Sequence, residues 1–260
     1  MPLAALEMTP WVVALLFVVG GVASGINSVA GGGTLISFPV LIGLGIPPIV
    51  ANATNSVGLW PGSIGGGLGF LGALGPTKHY LKTLAIPTLL GSAAGSGLLL
   101  ITPERLFSYL VPVLILLAAT ILFFQPRIKA WTQKPHFKVP EYTGVLLQFL
   151  VAVYGGYFGA GMGIMMLAAY SLFMNASIHE MNAVKTWIGV LINLTASILF
   201  ISKGLVLLVP GMILAAGSLV GGFWAAKASL KADAEKLRLA IAVYGFVMTG
   251  WFIYRVVSNG

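Results

Sequence analysis

Long apolar stretches separated by short polar connections make up most of this chain. Most of them have about the 20 residues that a helix needs to cross a bilayer. No charged residue occurs between Glu7 and Lys78. The pattern therefore predicts an all-α integral membrane protein. Ten apolar segments can be distinguished, with approximate limits 10–29, 33–46, 49–72, 82–101, 105–124, 141–158, 162–174, 181–202, 205–226 and 236–257.

The second and seventh segments are too short to span a bilayer as straight helices. Each has about 13 residues and would reach only about 20 Å. Each also follows a glycine-rich break, at Gly31 to Gly33 and at 155–163. Broken helices in pairs are typical of secondary transporters, whose binding sites form where two repeats meet.

A weak internal repeat divides the chain into two halves. We predict a first repeat at 1–126, a basic linker at 127–140 and a second repeat at 141–260, with five membrane segments in each repeat. An offset of 130 residues superimposes Ala30, Gly31 and Gly33 on Ala160, Gly161 and Gly163, and Asn52-Ala53 on Asn182-Ala183.

The distribution of basic residues predicts the orientation of the halves. The linker holds Arg127, Lys129, Lys134 and Lys138, so we expect it in the cytoplasm. The connection 227–238 carries four more basic residues and lies on the same side only if segment 7 crosses the membrane. We therefore expect five crossings per half, inverted repeats and both termini outside the cytoplasm.

Composition narrows the classes of function further. The chain is 58% hydrophobic and 8% charged, with a mean hydropathy of +0.99. It has no cysteine, which excludes thiolate metal sites and thiol nucleophiles, and its three histidines are scattered. We expect no metal and no cofactor. The net charge of +8 comes from basic residues that flank apolar spans, so we expect no nucleic-acid partner.

The glycine-rich stretch from Asn27 to Thr34 is the first candidate binding segment. A half-helix that begins there exposes free amides and the positive end of its dipole, which together attract an anion. Thr34 and Ser28 add hydroxyl donors, and Gly31, Gly32 and Gly33 leave the backbone bare. The alternative is that these glycines only allow close packing, as we expect for the pairs Gly91/Gly95 and Gly217/Gly221.

Polar residues inside later segments supply the second group of candidates. Asn52, Asn55 and Ser56 open the third segment, where such side chains need a cavity or a partner helix. Their alternative role is interhelical hydrogen bonding. Asn182 and Lys185 occupy the corresponding positions in the second half, where Lys185 could bind an anion, extend to the membrane surface or pair with Glu180.

The expected topology predicts which candidates meet. Gly31 to Gly33 and Lys185 both lie towards the cytoplasm, whereas Gly161, Gly163, Asn52 and Asn55 lie towards the outside. We therefore expect the first glycine break beside Asn182 and Lys185, and the second beside Asn52 and Asn55. The polar clusters would then meet across the halves.

These paired breaks and the repeated stretches Asn52-Ala53-Thr54-Asn55 and Asn182-Ala183-Val184-Lys185 resemble the TauE/SafE sulfite exporter family, also called the toluene sulfonate uptake permeases. The resemblance covers nearly the whole chain. It implies transport of small sulfur-containing anions such as sulfite, sulfonates or sulfoacetate across a bacterial or archaeal plasma membrane. Met162 interrupts the second glycine run and Lys185 replaces a neutral Asn55, so the expected site is asymmetric.

Three classes of function stay open at this point. A secondary anion transporter fits best, a channel-like anion pore is the first alternative, and an intramembrane enzyme would need a nucleophile with a base in reach. We expect no enzymatic activity. The partners are a small anion and the lipid bilayer; the coupling ion, proton or sodium, and a homodimer are left open. Coupling to protons would use Glu180 or His179.

Overall fold

The structure is a computed structural model that describes residues 6–29, 32–69, 74–75, 77–132, 134, 139–228 and 234–258. All regular structure in these ranges is helical. Eleven α-helices are present there, in chain order: α1 (Pro10–Val29), α2 (Thr34–Gly43), α3 (Pro48–Gly69), α4 (Lys78–Ile101), α5 (Glu104–Phe123), α6 (Gln125–Thr132), α7 (Glu141–Tyr157), α8 (Met162–Phe173), α9 (Ile178–Ser202), α10 (Leu208–Ala228) and α11 (Ala234–Ser258).

Ten of these helices correspond to the ten predicted apolar segments. Within the described ranges, α1, α4, α5, α9 and α11 are long and apolar enough to cross a membrane by length and composition. The helices α2 and α8 have only 10 and 12 residues. The remaining helix, α6, overlaps the predicted basic linker at 127–140, for which no membrane segment was expected.

The two halves interlock through six of their helices. Both α1 and α3 pack against α10, and α4 packs against α7 and α9. Under the offset of 130 residues, α1, α3 and α4 correspond to α7, α9 and α10. The contact α1–α10 therefore corresponds to α7–α4, and the contact α3–α10 corresponds to α9–α4. The contacts α3–α9 and α5–α11 are their own counterparts. Two halves related by a twofold axis would pack in this way.

Glycines let these helices approach backbone to backbone, as predicted for the small-residue pairs. A Cβ on Gly95 of α4 would overlap the Val153 carbonyl of α7. A Cβ on Gly217 or Gly221 of α10 would overlap the backbone of Phe17 or Gly21 of α1. The close-packing prediction for these glycines is confirmed, and the α4–α7 and α1–α10 contacts depend on the missing side chains.

A buried polar network fixes α8 against its neighbours. The Gln148 side chain of α7 donates to the Thr88 hydroxyl of α4 at 3.0 Å and accepts a hydrogen bond from the Tyr170 hydroxyl of α8, also at 3.0 Å. All three side chains are fully buried. A satisfied network of this kind holds the short helix in one orientation.

Candidate functional site

The break between α7 and α8 begins the candidate site in the second half. Gly159 and Gly161 have φ angles of 78° and 77°, in the left-handed region that favours glycine. Their carbonyls accept from the Met162 amide at 3.2 Å and the Ile164 amide at 3.1 Å. The Gly163 amide, which lies between these two, has no backbone acceptor among the described residues. The start of α8 therefore presents one free donor at the positive end of its dipole.

The side chain of Lys185 lies beside this helix start. A Cβ built on Gly163 would be 3.5 Å from Lys185 Cδ and 3.9 Å from Cε. The ammonium donates to Asn182 Oδ1 at 2.8 Å, and Asn182 Nδ2 donates to the Ile178 carbonyl at 2.8 Å. Both functions of the Asn182 amide are thus used within α9, and they hold Lys185 in place.

The pairing of Lys185 with Glu180 does not occur. Glu180 belongs to a capping box at the start of α9, where its carboxylate accepts from the Ser177 amide at 2.6 Å and the Ser177 hydroxyl accepts from the Glu180 amide. In the ranges that the structure covers, no carboxylate lies within ion-pair distance of Lys185. The cation and the α8 helix start are both positive, and no negative group of the described chain offsets them.

The break before α2 uses its donors differently. Gly32 has a φ of 90°, and the Gly33 amide donates to Asn27 Oδ1 at 2.7 Å. The Leu35 and Ile36 amides donate to the Gly32 and Gly33 carbonyls at 2.9 and 3.0 Å. The predicted free amides are therefore largely satisfied by the chain itself. Thr34 is partly buried at the first position of α2. Gly31 and the side chain of Ser28 lie outside the described residues.

Asn52 and Asn55 lie deep inside the molecule on α3, with 1% and 3% of their surface exposed. Asn52 Nδ2 donates to the Tyr157 carbonyl at the end of α7, at 2.9 Å. Among the described residues, no hydrogen-bond partner is found for the buried Oδ1 atom of either side chain. Ser56 is committed to its own helix, because its hydroxyl donates to the Asn52 carbonyl at 2.9 Å.

Of the two expected pairings across the halves, the pairing of the first glycine break with Lys185 is wrong. Lys185 lies beside Gly163 of its own half, and Gly33 lies beside Asn27 of its own half. With 12 residues, α8 is about 18 Å long, shorter than the hydrocarbon core of a bilayer, and Lys185 lies about 10 Å along α9, so the start of α8 can lie at the depth of Lys185. The second pairing has one contact across the halves, from Asn52 to Tyr157, four residues before Gly161.

The backbone supplies partners that side-chain chemistry did not predict. The Tyr157 carbonyl holds Asn52, and the Leu207 amide donates to the Thr54 hydroxyl at 3.1 Å, which ties α3 to the start of α10. The polar stretch on α3 indicated that such partners exist but could not identify them. Within the described ranges, no cluster of histidine and acidic side chains is placed to hold a metal ion.

Comparison with known proteins places this architecture among transporters. A family model described as "Sulfite exporter TauE/SafE" matches residues 16–252. A "probable membrane transporter protein" of Haemophilus influenzae is 30% identical over 241 residues, which cover 93% of this chain and 94% of that protein. "Probable membrane transporter protein YfcA" of Escherichia coli K12 is 23% identical over 95% of this chain and 91% of that protein. No solved structure matches the chain.

Proposed function

We propose, from the premise that the chain belongs to the sulfite exporter TauE/SafE family, that this membrane transporter carries small sulfur-containing anions by a secondary mechanism. Sulfite, sulfonates and sulfoacetate are the expected classes of substrate. The binding site lies in the second half, where the start of α8 meets α9. Lys185 and the Gly163 amide bind the anion, and Asn182 positions Lys185.

The single observation that carries this proposal is the uncompensated positive charge of Lys185. A lysine costs about 2.5–3.5 kcal/mol at the centre of a membrane helix on insertion scales, and a lysine inside a membrane segment marks a pathway or a site. Its one hydrogen-bond acceptor in the described chain is the neutral Asn182 amide. A helix start adds a partial positive charge on the same spot. An anion supplies the negative charge that this arrangement lacks.

The chemistry of the donors fits an oxyanion. The Gly163 amide and the Lys185 ammonium are separate donors that approach from different helices, so they can contact two oxygens of one sulfite or sulfonate group. The Gly163 amide has no backbone acceptor among the described residues, so it can donate to a ligand.

The packing of the halves supports alternating access as the mechanism. If the halves are inverted repeats, rocking of one pair of helices against the other would open the start of α8 to each side in turn. We place the protein in the plasma membrane with both termini outside the cytoplasm, in keeping with the basic linker. The glycine contacts of α4 with α7 and of α1 with α10 would be the sliding surfaces.

The direct test is anion binding to the purified full chain. Thermal midpoints would be measured in detergent at one sodium concentration and constant ionic strength, with sulfite, sulfate, thiosulfate, taurine or sulfoacetate added. We expect Lys185→Gln to weaken binding of the best anion by about tenfold or more, the loss of a charge-assisted hydrogen bond of about 1.5–3 kcal/mol. Lys185→Arg keeps the charge and should retain more of the affinity.

Lys203→Gln is the matched control, because Lys203 lies exposed in the α9–α10 connection. It removes the same charge from the same protein, and we expect it to bind the anion as the native chain does. Equal affinity in Lys185→Gln and the native chain would exclude Lys185 from the site and would remove the basis of the proposal.

A further inference from the structure

A second unusual site lies in the first half, at the two buried amide oxygens of α3. Asn52 and Asn55 are 1% and 3% exposed, and the Oδ1 atom of each has no donor in the described chain. Buried oxygens without a donor are rare in folded proteins and call for a ligand, an ion or a water molecule. Two of them one helical turn apart are on the same face of α3.

The orientation of the Asn52 amide is fixed by its neighbour. Its Nδ2 donates to the Tyr157 carbonyl at 2.9 Å, and that carbonyl can only accept. Turning the amide over would bring two oxygens together. Asn52 Oδ1 is therefore an acceptor that points away from Tyr157 and has no donor in the part of the chain that the structure describes.

The surroundings of these oxygens favour a positive ligand. Tyr157 is the last residue of α7, so its carbonyl marks the negative end of that helix dipole. The Glu104 carboxylate accepts from the Ile49 amide at 3.0 Å, in the first turn of α3. The corresponding position in the other half has the cation Lys185 where α3 has the neutral Asn55. The first half thus carries an uncharged acceptor where the second half carries a cation.

We propose that Asn52 Oδ1 and Asn55 Oδ1 are ligands of a sodium ion. Sodium is a hard cation that prefers neutral and charged oxygens, and transporters with broken helices bind it with helix C-terminal ends and exposed oxygens. Two neutral amides do not offset the double charge of a divalent ion. If the proposed anion transport holds, this ion is its coupling ion, because a cation bound with an anion reduces the net charge carried through the membrane.

Binding of the ion can be measured without any transported anion. The thermal midpoint of the full chain in detergent would be followed in the chlorides of sodium and of N-methyl-D-glucamine at equal ionic strength. We expect a rise in the midpoint that saturates with sodium and is absent with the organic cation. Asn55→Leu, which has a similar volume and leaves the Tyr157 contact intact, should lose the sodium-dependent rise.

Two further variants keep the test decisive if Asn55→Leu folds poorly. Asn55→Asp keeps an oxygen and adds a negative charge, so it should raise the apparent affinity for sodium. Thr249→Val is the matched control, because it removes a buried oxygen that donates to the Gly245 carbonyl within α11. The control should keep the native rise.

Equal midpoints of the native chain in both salts would overturn the proposal. A native sodium response in Asn55→Leu would overturn it as well. The anion test at Lys185 is separate, since it is run at one sodium concentration. If the native chain does not respond to sodium but binds the anion in a Lys185-dependent way, only this inference is refuted. If it responds to sodium but Lys185→Gln binds the anion as the native chain does, only the proposed anion site is refuted.

Discussion

The side chain of Lys185 stands next to a glycine that has space for one more carbon. A Cβ on Gly163 would lie 3.5 Å from Lys185 Cδ, an ordinary van der Waals distance, and the Gly163 φ is not in the left-handed region. The neighbouring Gly161, with a φ of 77°, would be strained by any side chain, by about 1–2 kcal/mol. Gly163 is thus the position where the anion site can be altered without disturbing the fold.

We predict that Gly163→Ala does not destabilise the ligand-free protein. Its thermal midpoint should rise by the equivalent of about 0.5–1 kcal/mol, the usual effect of replacing a helical glycine by alanine. Anion affinity should fall by about tenfold, because the methyl group crowds the space between the free amide and the ammonium. Thermal midpoints with increasing anion measure both quantities. Gly211→Ala on α10 is the control, because the nearest atoms to its added carbon would also be at an ordinary van der Waals distance, 3.7 Å. Unchanged affinity in Gly163→Ala would argue against an anion at the start of α8.

For single residues, the sequence predicts which polar side chains lie inside the membrane but not which groups they contact. Asn27 was expected to face the ligand, yet its Oδ1 accepts from the Gly33 amide. Lys185 was expected beside the first glycine break, yet it reaches Gly163. An amide or an ammonium can satisfy the backbone, another side chain or a ligand, and only the depth and rotation of each helix decide among them.

Helix limits are predicted more closely than partners, because length and hydropathy are local properties. The structure begins α1 at Pro10 and α5 at Glu104, within a residue of the expected limits. The missed element is α6, whose eight residues are too few to show helical periodicity. Its basic residues suggested a solvated connection, but Ile128 of this helix packs against the apolar core.

Two glycines of α4 allow a test of the contact between the halves. We predict that Gly95→Ala lowers the thermal midpoint by the equivalent of about 1–3 kcal/mol, because its Cβ would overlap the Val153 carbonyl and force α4 from α7. Gly97→Ala, on the same helix with no neighbour within 4 Å, should be neutral or slightly stabilising. Similar midpoints for the two variants would mean that α4 and α7 are not in backbone contact.

For the molecule as a whole, the helices pair across the halves as two repeats related by a twofold axis would pair. In the sequence alone, only short matches relate the halves. Contacts α3–α9 and α5–α11 join each helix to its own counterpart, as an axis running between them would require. The sequence could not predict this interlocking, since the apolar faces of membrane helices fit many partners. The direction of the halves across the membrane follows from α8, which either crosses or turns back.

The chain contains no cysteine, so single cysteines can report which side of the membrane each connection faces. The exposed residues Lys134, Glu235, Lys203 and Ser258 suit this purpose. We predict that Lys203→Cys and Ser258→Cys react with an impermeant maleimide in intact cells, whereas Lys134→Cys and Glu235→Cys react only after permeabilisation. If α8 crosses, α9, α10 and α11 follow in alternating directions, and the basic residues around Glu235 join the linker in the cytoplasm. If α8 turned back, Glu235→Cys would react in intact cells while Lys134→Cys stayed protected, and the halves would no longer be inverted. Reaction of all four after permeabilisation is the control that each site is accessible.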